Sequence, residues 1–306
     1  MHNIPLTTIM RAAYELHIPV PAFNIPHLPM VQPIVEAIRS CGSFALVEVA
    51  LLETTKFQAR SFAAVAELFN QHADRGYVRL HQDHVPVIDE DHQRVDWARC
   101  VREALDLGFD SVMVDGSRLS FEENVDVARQ VAQMAHAKGA ASEAELGAVL
   151  GHESGPIPPY DELFESGRGF TRVDEAQRFV EESHIDWLSV AIGNIHGAIT
   201  GAAKDQKKVE ARLNIEHLRR LSEATRIPLV LHGGSGIRHE SVLRAIENGI
   251  TKINVGTALR QTYEKTLKDT RDPSAAQQAV ADDVREMLTD YFRIENSAAR
   301  LAERIA

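Results

Sequence analysis

The chain is poor in cysteine: two among 306 residues, Cys41 and Cys100, far apart and outside any metal-ligand spacing. That argues against a disulfide framework and reads as two buried thiols in a reducing compartment. No apolar run approaches the length needed to cross a bilayer, so no membrane-spanning helix and no membrane partner are expected. Positive charge is in deficit, with 33 Lys and Arg against 44 Asp and Glu and a net charge of −11. Nucleic acid is therefore not expected as a partner, and any anionic ligand has to be held by local features instead of the overall field. The opening MHNIPLTTIMRAAYEL lacks the charged-then-apolar build of a secretory leader, which makes the cytoplasm the expected location. Low-complexity linkers are also missing. The expectation is one domain over residues 1–306, with a helical C-terminal extension from about 272 to 306.

What the chain does have is a repeat of short apolar runs and amphipathic stretches. The strand candidates are VPAFNI (20–25), FALVEVA (44–50), VRLHQDHV (78–85), DSVMVDG (110–116), AASEAELG (140–147), WLSVAIG (187–193), PLVLHGG (228–234) and KINVGT (252–257). Between them lie helical patterns such as LPMVQPIVEAIRSCG, SFAAVAELFNQHA, RVDWARCVREALDLG and HESVLRAIENG, several stopped by glycine. Eight strands alternating with helices predict a parallel sheet closed into a (β/α)₈ TIM barrel, with an open doubly wound sheet as the runner-up. The stretch 151–171, rich in glycine and proline, is expected to be irregular. A loop of that length in a compact domain is usually functional or disordered.

Polar residues gather at the ends of these strands, where barrel enzymes build their sites. His84 follows Asp83 on the third strand, His196 lies just past the sixth, and His232 ends the seventh. A single histidine at a strand end is more often just hydrogen-bonded. Three of them converging beside Asp83 point instead to one metal ion, since catalytic zinc takes three protein ligands and leaves a fourth position open. The fifth strand adds Glu143 and Glu145, two apart and so on one face. The fourth adds Asp115, read as a structural carboxylate. The turns GGSG (233–236) and NVGT (254–257) occupy the two loops where barrels commonly hold a phosphate on backbone N–H groups.

Taken in order, HQDHV, SVMVDGS, EAELG, AIGNIHG, LVLHGGSG and KINVGT resemble the zinc-dependent class II ketose-bisphosphate aldolases, which include the fructose-1,6- and tagatose-1,6-bisphosphate enzymes. The resemblance runs from AFN (22–24) to about residue 265. It implies reversible retro-aldol cleavage of a ketose (bis)phosphate to dihydroxyacetone phosphate and an aldehyde, through a zinc-stabilised enediolate. It implies one zinc ion per chain on His84, His196 and His232, with Glu145 as an accessory carboxylate and a monovalent cation as a further candidate. Asp83 would exchange the proton of the hydroxyl at the bond being broken, and Glu153 would move protons at the carbon next to the carbonyl. Asn24, Gly197, Gly233, Gly234, Ser235, Asn254, Gly256 and Thr257 would surround the phosphorylated ketose. A homodimer or homotetramer is the implied assembly.

The sequence departs from the family pattern in places. Gln82 replaces the usual leucine between the first histidine and Asp83, GNIHG stands where Gly-Thr-x-His-Gly is usual, and Arg118 follows DGS. At the end of the second strand Glu48 and Ala50 occupy places that often carry small or polar groups. Unit charges about 4 Å apart repel by about 4 kcal/mol at an effective dielectric near 20. If Glu48 faced the aldehyde end, a second phosphate there would be disfavoured and a ketose 1-phosphate preferred. Arg118 or a lysine from Lys204, Lys207 and Lys208 could neutralise such a pocket. Alternatively, Glu48 points into the barrel wall and pairs with a cation. Rival functions are an aldolase for a non-standard ketose 1-phosphate or an acidic ketose, and a non-catalytic barrel subunit of an aldolase complex. Retention of Asp83 and the three histidines argues against the second. A metal-dependent barrel hydrolase would need a His-x-His pair on the first strand, which VPAFNI lacks.

Overall fold

The computed structural model describes residues 1–147, 160–194, 211–233 and 237–306. Eight parallel strands close into a barrel in chain order: β1 (Val20–Asn24), β2 (Ala45–Ala50), β3 (Val78–Asp83), β4 (Ser111–Val114), β5 (Ala141–Leu146), β6 (Trp187–Val190), β7 (Leu229–Leu231) and β8 (Ile250–Val255). The helices around it are α1 (Leu6–Leu16), α2 (Val31–Ser40), α3 (Leu51–Lys56), α4 (Phe62–His72), α5 (Trp97–Asp106), α6 (Phe121–Ala137), α7 (Tyr160–Ser166), α8 (Val173–Ser183), α9 (Ile215–Thr225), α10 (His239–Glu247), α11 (Thr257–Thr270), α12 (Pro273–Glu286) and α13 (Ser297–Ile305). The fold is a TIM barrel, and every expected strand is present.

Local chemistry sets the element ends. Ser120 accepts from the Glu123 N–H while the Glu123 carboxylate takes the Ser120 N–H, a reciprocal cap for α6. Ser61, Asp96 and Asn214 cap α4, α5 and α9 with side-chain oxygens. At the C-terminus α12 packs on α2 and α11, and α13 packs on α1. One segment differs from expectation. Within 151–171, Tyr160, Leu163 and Phe164 stand at helical spacing and open α7, whose Leu163 is buried. Among the described residues, no helix is long and apolar enough to cross a membrane.

Between strands and helices lies an ordinary apolar core that includes Phe23, Phe44, Phe69 and Phe179. The barrel lumen is not ordinary. The register sets Glu48 opposite His81, Ala50 opposite Asp83, Met113 opposite Glu143 and Ala22 opposite Asn254. Alternation along each strand then turns Glu48, His81, Asp83, Glu143, Glu145, Lys252 and Asn254 inward. All seven are buried except Asn254, which is half-buried.

Candidate active site

Asp83 is the last residue of β3, and His84 follows it at the barrel mouth. The Asp83 carboxylate accepts from the amide of Asn24 at one oxygen and from the amide of Asn254 at the other, both at 2.9 Å. Burial opposes its ionisation, but the charges of His84, Lys252 and His232 outweigh burial and hold it well below the usual carboxylate range. Gly256 makes room for this arrangement, since a Cβ there would lie 2.9 Å from the Asn24 side-chain oxygen.

His232 leaves β7 and brings its Nδ1 to 2.7 Å from the Nε2 of His84, with ring centroids 4.5 Å apart. Its Nε2 meets the Glu143 carboxylate at 2.9 Å, and Glu145 stands 3.4 Å from Nδ1. Burial would depress both imidazoles. Asp83 outweighs it at His84, and the hydrogen bonds of Glu143 and Glu145 outweigh it at His232, so each is pushed up to about 9. Two ring nitrogens this close need a shared cation, a proton or a metal ion. Ligand atoms of Asp83, His84 and His232 lie within 4.8 Å of one another, as do those of His84, Asp115 and Glu145. The donor set of imidazoles and carboxylates therefore fits a divalent ion such as zinc.

The carboxylates around the histidines have distinct tasks. Glu143 is fully buried and accepts from Trp187 Nε1 at 2.7 Å as well as from His232. Lys252 adds a third partner at 3.0 Å. Burial opposes its ionisation, yet these neighbours hold it ionised, well below its ordinary range. It is thus a buried ion-pair partner of Lys252, and it also orients His232. Asp115 stands 3.8 Å from His84 Nδ1 and accepts from the Ser117 N–H. His81, beneath the site, meets Ser111 Oγ at 2.7 Å; burial and the Lys252 charge push it down to about 3, so it is a neutral imidazole.

Several expectations are corrected. Glu48 does not face an aldehyde pocket: it is fully buried in the lumen, 3.1 Å from Lys252 Nζ. Burial and the Asp83 charge push its carboxyl well up. Lys252 cannot neutralise two carboxylates, and Glu143 has the stronger set of donors. The repulsion argument against a second phosphate falls with that placement. Arg118 is held by the backbone oxygen of Asp89, not aimed into the site. Cys100 is half-buried, unlike Cys41. Gln82 turns outward and donates to the carbonyl of Cys100 on α5. Asn194, in GNIHG, accepts from the Ile192 N–H and donates to the His232 carbonyl, tying the end of β6 to the end of β7.

Of the expected site residues, Asp83, His84, His232, Glu145, Asn24 and Asn254 come together. Gly256 and Thr257 adjoin them at the start of α11, and Gly233 follows His232 with φ +69°, the left-handed region that glycine favours. His196, Glu153, Gly197, Gly234 and Ser235 lie outside the described residues, as do Lys204, Lys207 and Lys208. Lys252, His81 and Glu53 on α3 are neighbours that carried no expectation. The Glu53 carboxyl takes the Ala50 N–H at 2.8 Å; burial pushes it up to about 8, opposed by that N–H and aided by the Asp83 charge.

Histidines and carboxylates converging at the C-terminal mouth define a barrel enzyme with a metal-type centre. The family model for class II fructose-bisphosphate aldolase matches residues 4–300. A 6-phospho-5-dehydro-2-deoxy-D-gluconate aldolase of Halalkalibacterium halodurans is 32% identical over 272 residues, 88% of this chain and 85% of that protein. A fructose-bisphosphate aldolase of Geobacillus stearothermophilus is 38% identical over 175 residues, 56% of each chain. The crystal structure of the YdjI aldolase from Escherichia coli superposes with a TM-score of 0.76 at 26% identity, covering 96% of this chain and 98% of that one. The chain belongs to the class II fructose-bisphosphate aldolase family. It is a carbon–carbon lyase of a family that is generally metal-dependent.

Proposed function

We propose that this protein cleaves a phosphorylated ketose reversibly to dihydroxyacetone phosphate and an aldehyde, using Zn²⁺ held by His84, His196 and His232 with Glu145 close by. The observation that carries the reading is Asp83, ionised, fixed by two amides and adjacent to both described imidazoles. The chemistry that a bound zinc ion supplies there is Lewis-acid polarisation of the ketose carbonyl.

The residues of the chain do the rest. Asn24 and Asn254 hold the Asp83 carboxylate in one orientation, and as a general base it takes the proton of the hydroxyl on the bond being cleaved. In the synthetic direction it returns that proton. Glu143 accepts the Nε2 proton of His232, which leaves Nδ1 to serve as a ligand. Glu153 is assigned the proton at the carbon next to the carbonyl. The ketose phosphate is assigned to Gly197, Gly233, Gly234 and Ser235 together with Asn254, Gly256 and Thr257. The start of α11 supports this, because backbone N–H groups at a helix N-terminus favour an anion despite the net charge of −11.

An acidic ketose phosphate is a second reading, favoured by the 6-phospho-5-dehydro-2-deoxy-D-gluconate aldolase among the relatives. We further propose one catalytic domain over 1–306, working in the cytoplasm as a homodimer or homotetramer; the packing of α12 and α13 on α1, α2 and α11 supports the single domain. The test is coupled detection of dihydroxyacetone phosphate across a panel of neutral and acidic ketose phosphates. Release of a different three-carbon fragment, or of none, counts against the reading.

A further inference from the structure

Lys252 is fully buried in the barrel lumen, and an ammonium has three donors and no acceptor. Two groups accept from it, Asn254 Oδ1 at 2.7 Å and Glu143 Oε1 at 3.3 Å, and Glu48 Oε2 stands at ion-pair distance, 3.1 Å away. They belong to three different strands, β8, β5 and β2. Two of the three lead directly into the site, by separate routes.

The first route runs through Asn254. Its side-chain oxygen faces Lys252, so its NH₂ faces Asp83, which accepts at 2.9 Å. An amide can be turned end for end at little steric cost. Turned the other way, its carbonyl oxygen would oppose the Asp83 carboxylate. Lys252 is the group that rules this out, because an ammonium cannot accept from the NH₂. The second route runs through Glu143. Lys252 and Trp187 anchor its carboxylate, which takes the Nε2 side of His232 and leaves Nδ1 directed at His84. The choice of ring nitrogen is set by the partner of the other nitrogen.

We propose that Lys252 is the positioning residue of this site, one buried cation that fixes both the orientation of the Asn254 amide on Asp83 and the ring nitrogen that His232 offers to a metal. Lys252 touches no substrate in this role and acts through two neighbours. The role rests on the metal-aldolase reading of the site. It has a consequence that neither route alone would give: metal affinity and proton transfer fail together when the lysine is lost.

The test uses the full-length protein with Lys252→Met, and Lys252→Met combined with Glu48→Gln so that the acid facing the lost ammonium is also removed. Folding is followed by circular dichroism, and Co²⁺ alone is titrated by chelator competition and by its visible absorption. Co²⁺ affinity is expected to fall about 10–100-fold, the usual effect of losing an outer-shell partner. The absorption band should shift as the His232 geometry loosens. At saturating metal, kcat should fall by about 100-fold, as for a slightly misplaced reacting group, while KM changes less than about twofold. Combining Lys252→Met with Asn254→Ala should lower kcat no further than Asn254→Ala alone. A folded double variant with parental Co²⁺ affinity and parental kcat overturns the positioning role while leaving the aldolase reading intact. So do fully multiplicative effects of Lys252→Met and Asn254→Ala. A parental protein that takes up no Co²⁺ contradicts the metal reading itself and this inference with it.

Discussion

Asp83 and His84 are adjacent in sequence and opposed in chemistry under the proposed mechanism: one must stay anionic to accept a proton, the other must stay available as a ligand. Their partners differ accordingly: Asp83 has two amide donors and His84 a neighbouring carboxylate, Asp115. Asp83→Asn is therefore expected to keep the fold and the metal and to lower turnover by about 10²–10⁴-fold. Parental cleavage by that variant, measured with the coupled assay, would place the proton elsewhere. Glu48 yields a different expectation. Burial and the Asp83 charge push its carboxyl upward, which favours its neutral form beside Lys252. For a buried acid with a raised pKa, ionisation is what costs stability, and below that raised value no charge is present to lose. Glu48→Gln should thus change unfolding free energy by under about 1 kcal/mol and leave the choice between mono- and bisphosphates unchanged. A loss of about 3–5 kcal/mol in denaturant titration, typical of breaking a buried ion pair, would mean Glu48 is an anion instead. At this scale the sequence was legible wherever a residue stood at a strand end: Asp83, His84 and His232 needed only their positions. Lys252 and Glu48 were harder, because each sits mid-strand, away from the strand ends, and its role depends on what lies across the lumen. Strict alternation offered a signal, since Glu48, His81, Glu143 and Lys252 all fall on the inward face.

Among the elements, the strand–helix alternation made the barrel readable, because parallel strands buried on both sides are near-continuous apolar runs. Their ends were less readable. Strand β7 stops at Leu231, one residue before His232, and β8 begins at Ile250, two residues before the expected start. Strand pairing across the barrel, not local sequence, decides those limits. Helix α7 was hidden by the glycines and prolines upstream of it, although Tyr160, Leu163 and Phe164 share one face. Its anchor is the Tyr160 hydroxyl, which accepts from the Arg212 N–H at 2.6 Å and can donate to the Gly193 carbonyl at 2.9 Å. Tyr160→Phe leaves that backbone N–H without its partner and is expected to cost about 1–3 kcal/mol of stability. An unchanged unfolding midpoint would show that water replaces the hydroxyl.

For the molecule as a whole, the charges matter through placement. A net charge of −11 gives no attraction for a phosphorylated sugar, while the buried carboxylates at the mouth create a field that favours a cation. Metal binding and stability are consequently linked. Free Zn²⁺ at 100 times its dissociation constant should add about 2.7 kcal/mol to the unfolding free energy, provided the unfolded chain does not bind it. Chelation should lower the thermal midpoint accordingly, and His232→Ala should abolish that dependence. A midpoint indifferent to chelator would mean that the cluster holds no structural or catalytic ion. The central claim is that carbon–carbon cleavage depends on a metal at these histidines, and it is tested most directly by turnover after exhaustive chelation and after restoration of Zn²⁺. The account predicts that dihydroxyacetone phosphate release stops on chelation and returns with about one equivalent of metal per chain. Full turnover in the metal-free protein would contradict it.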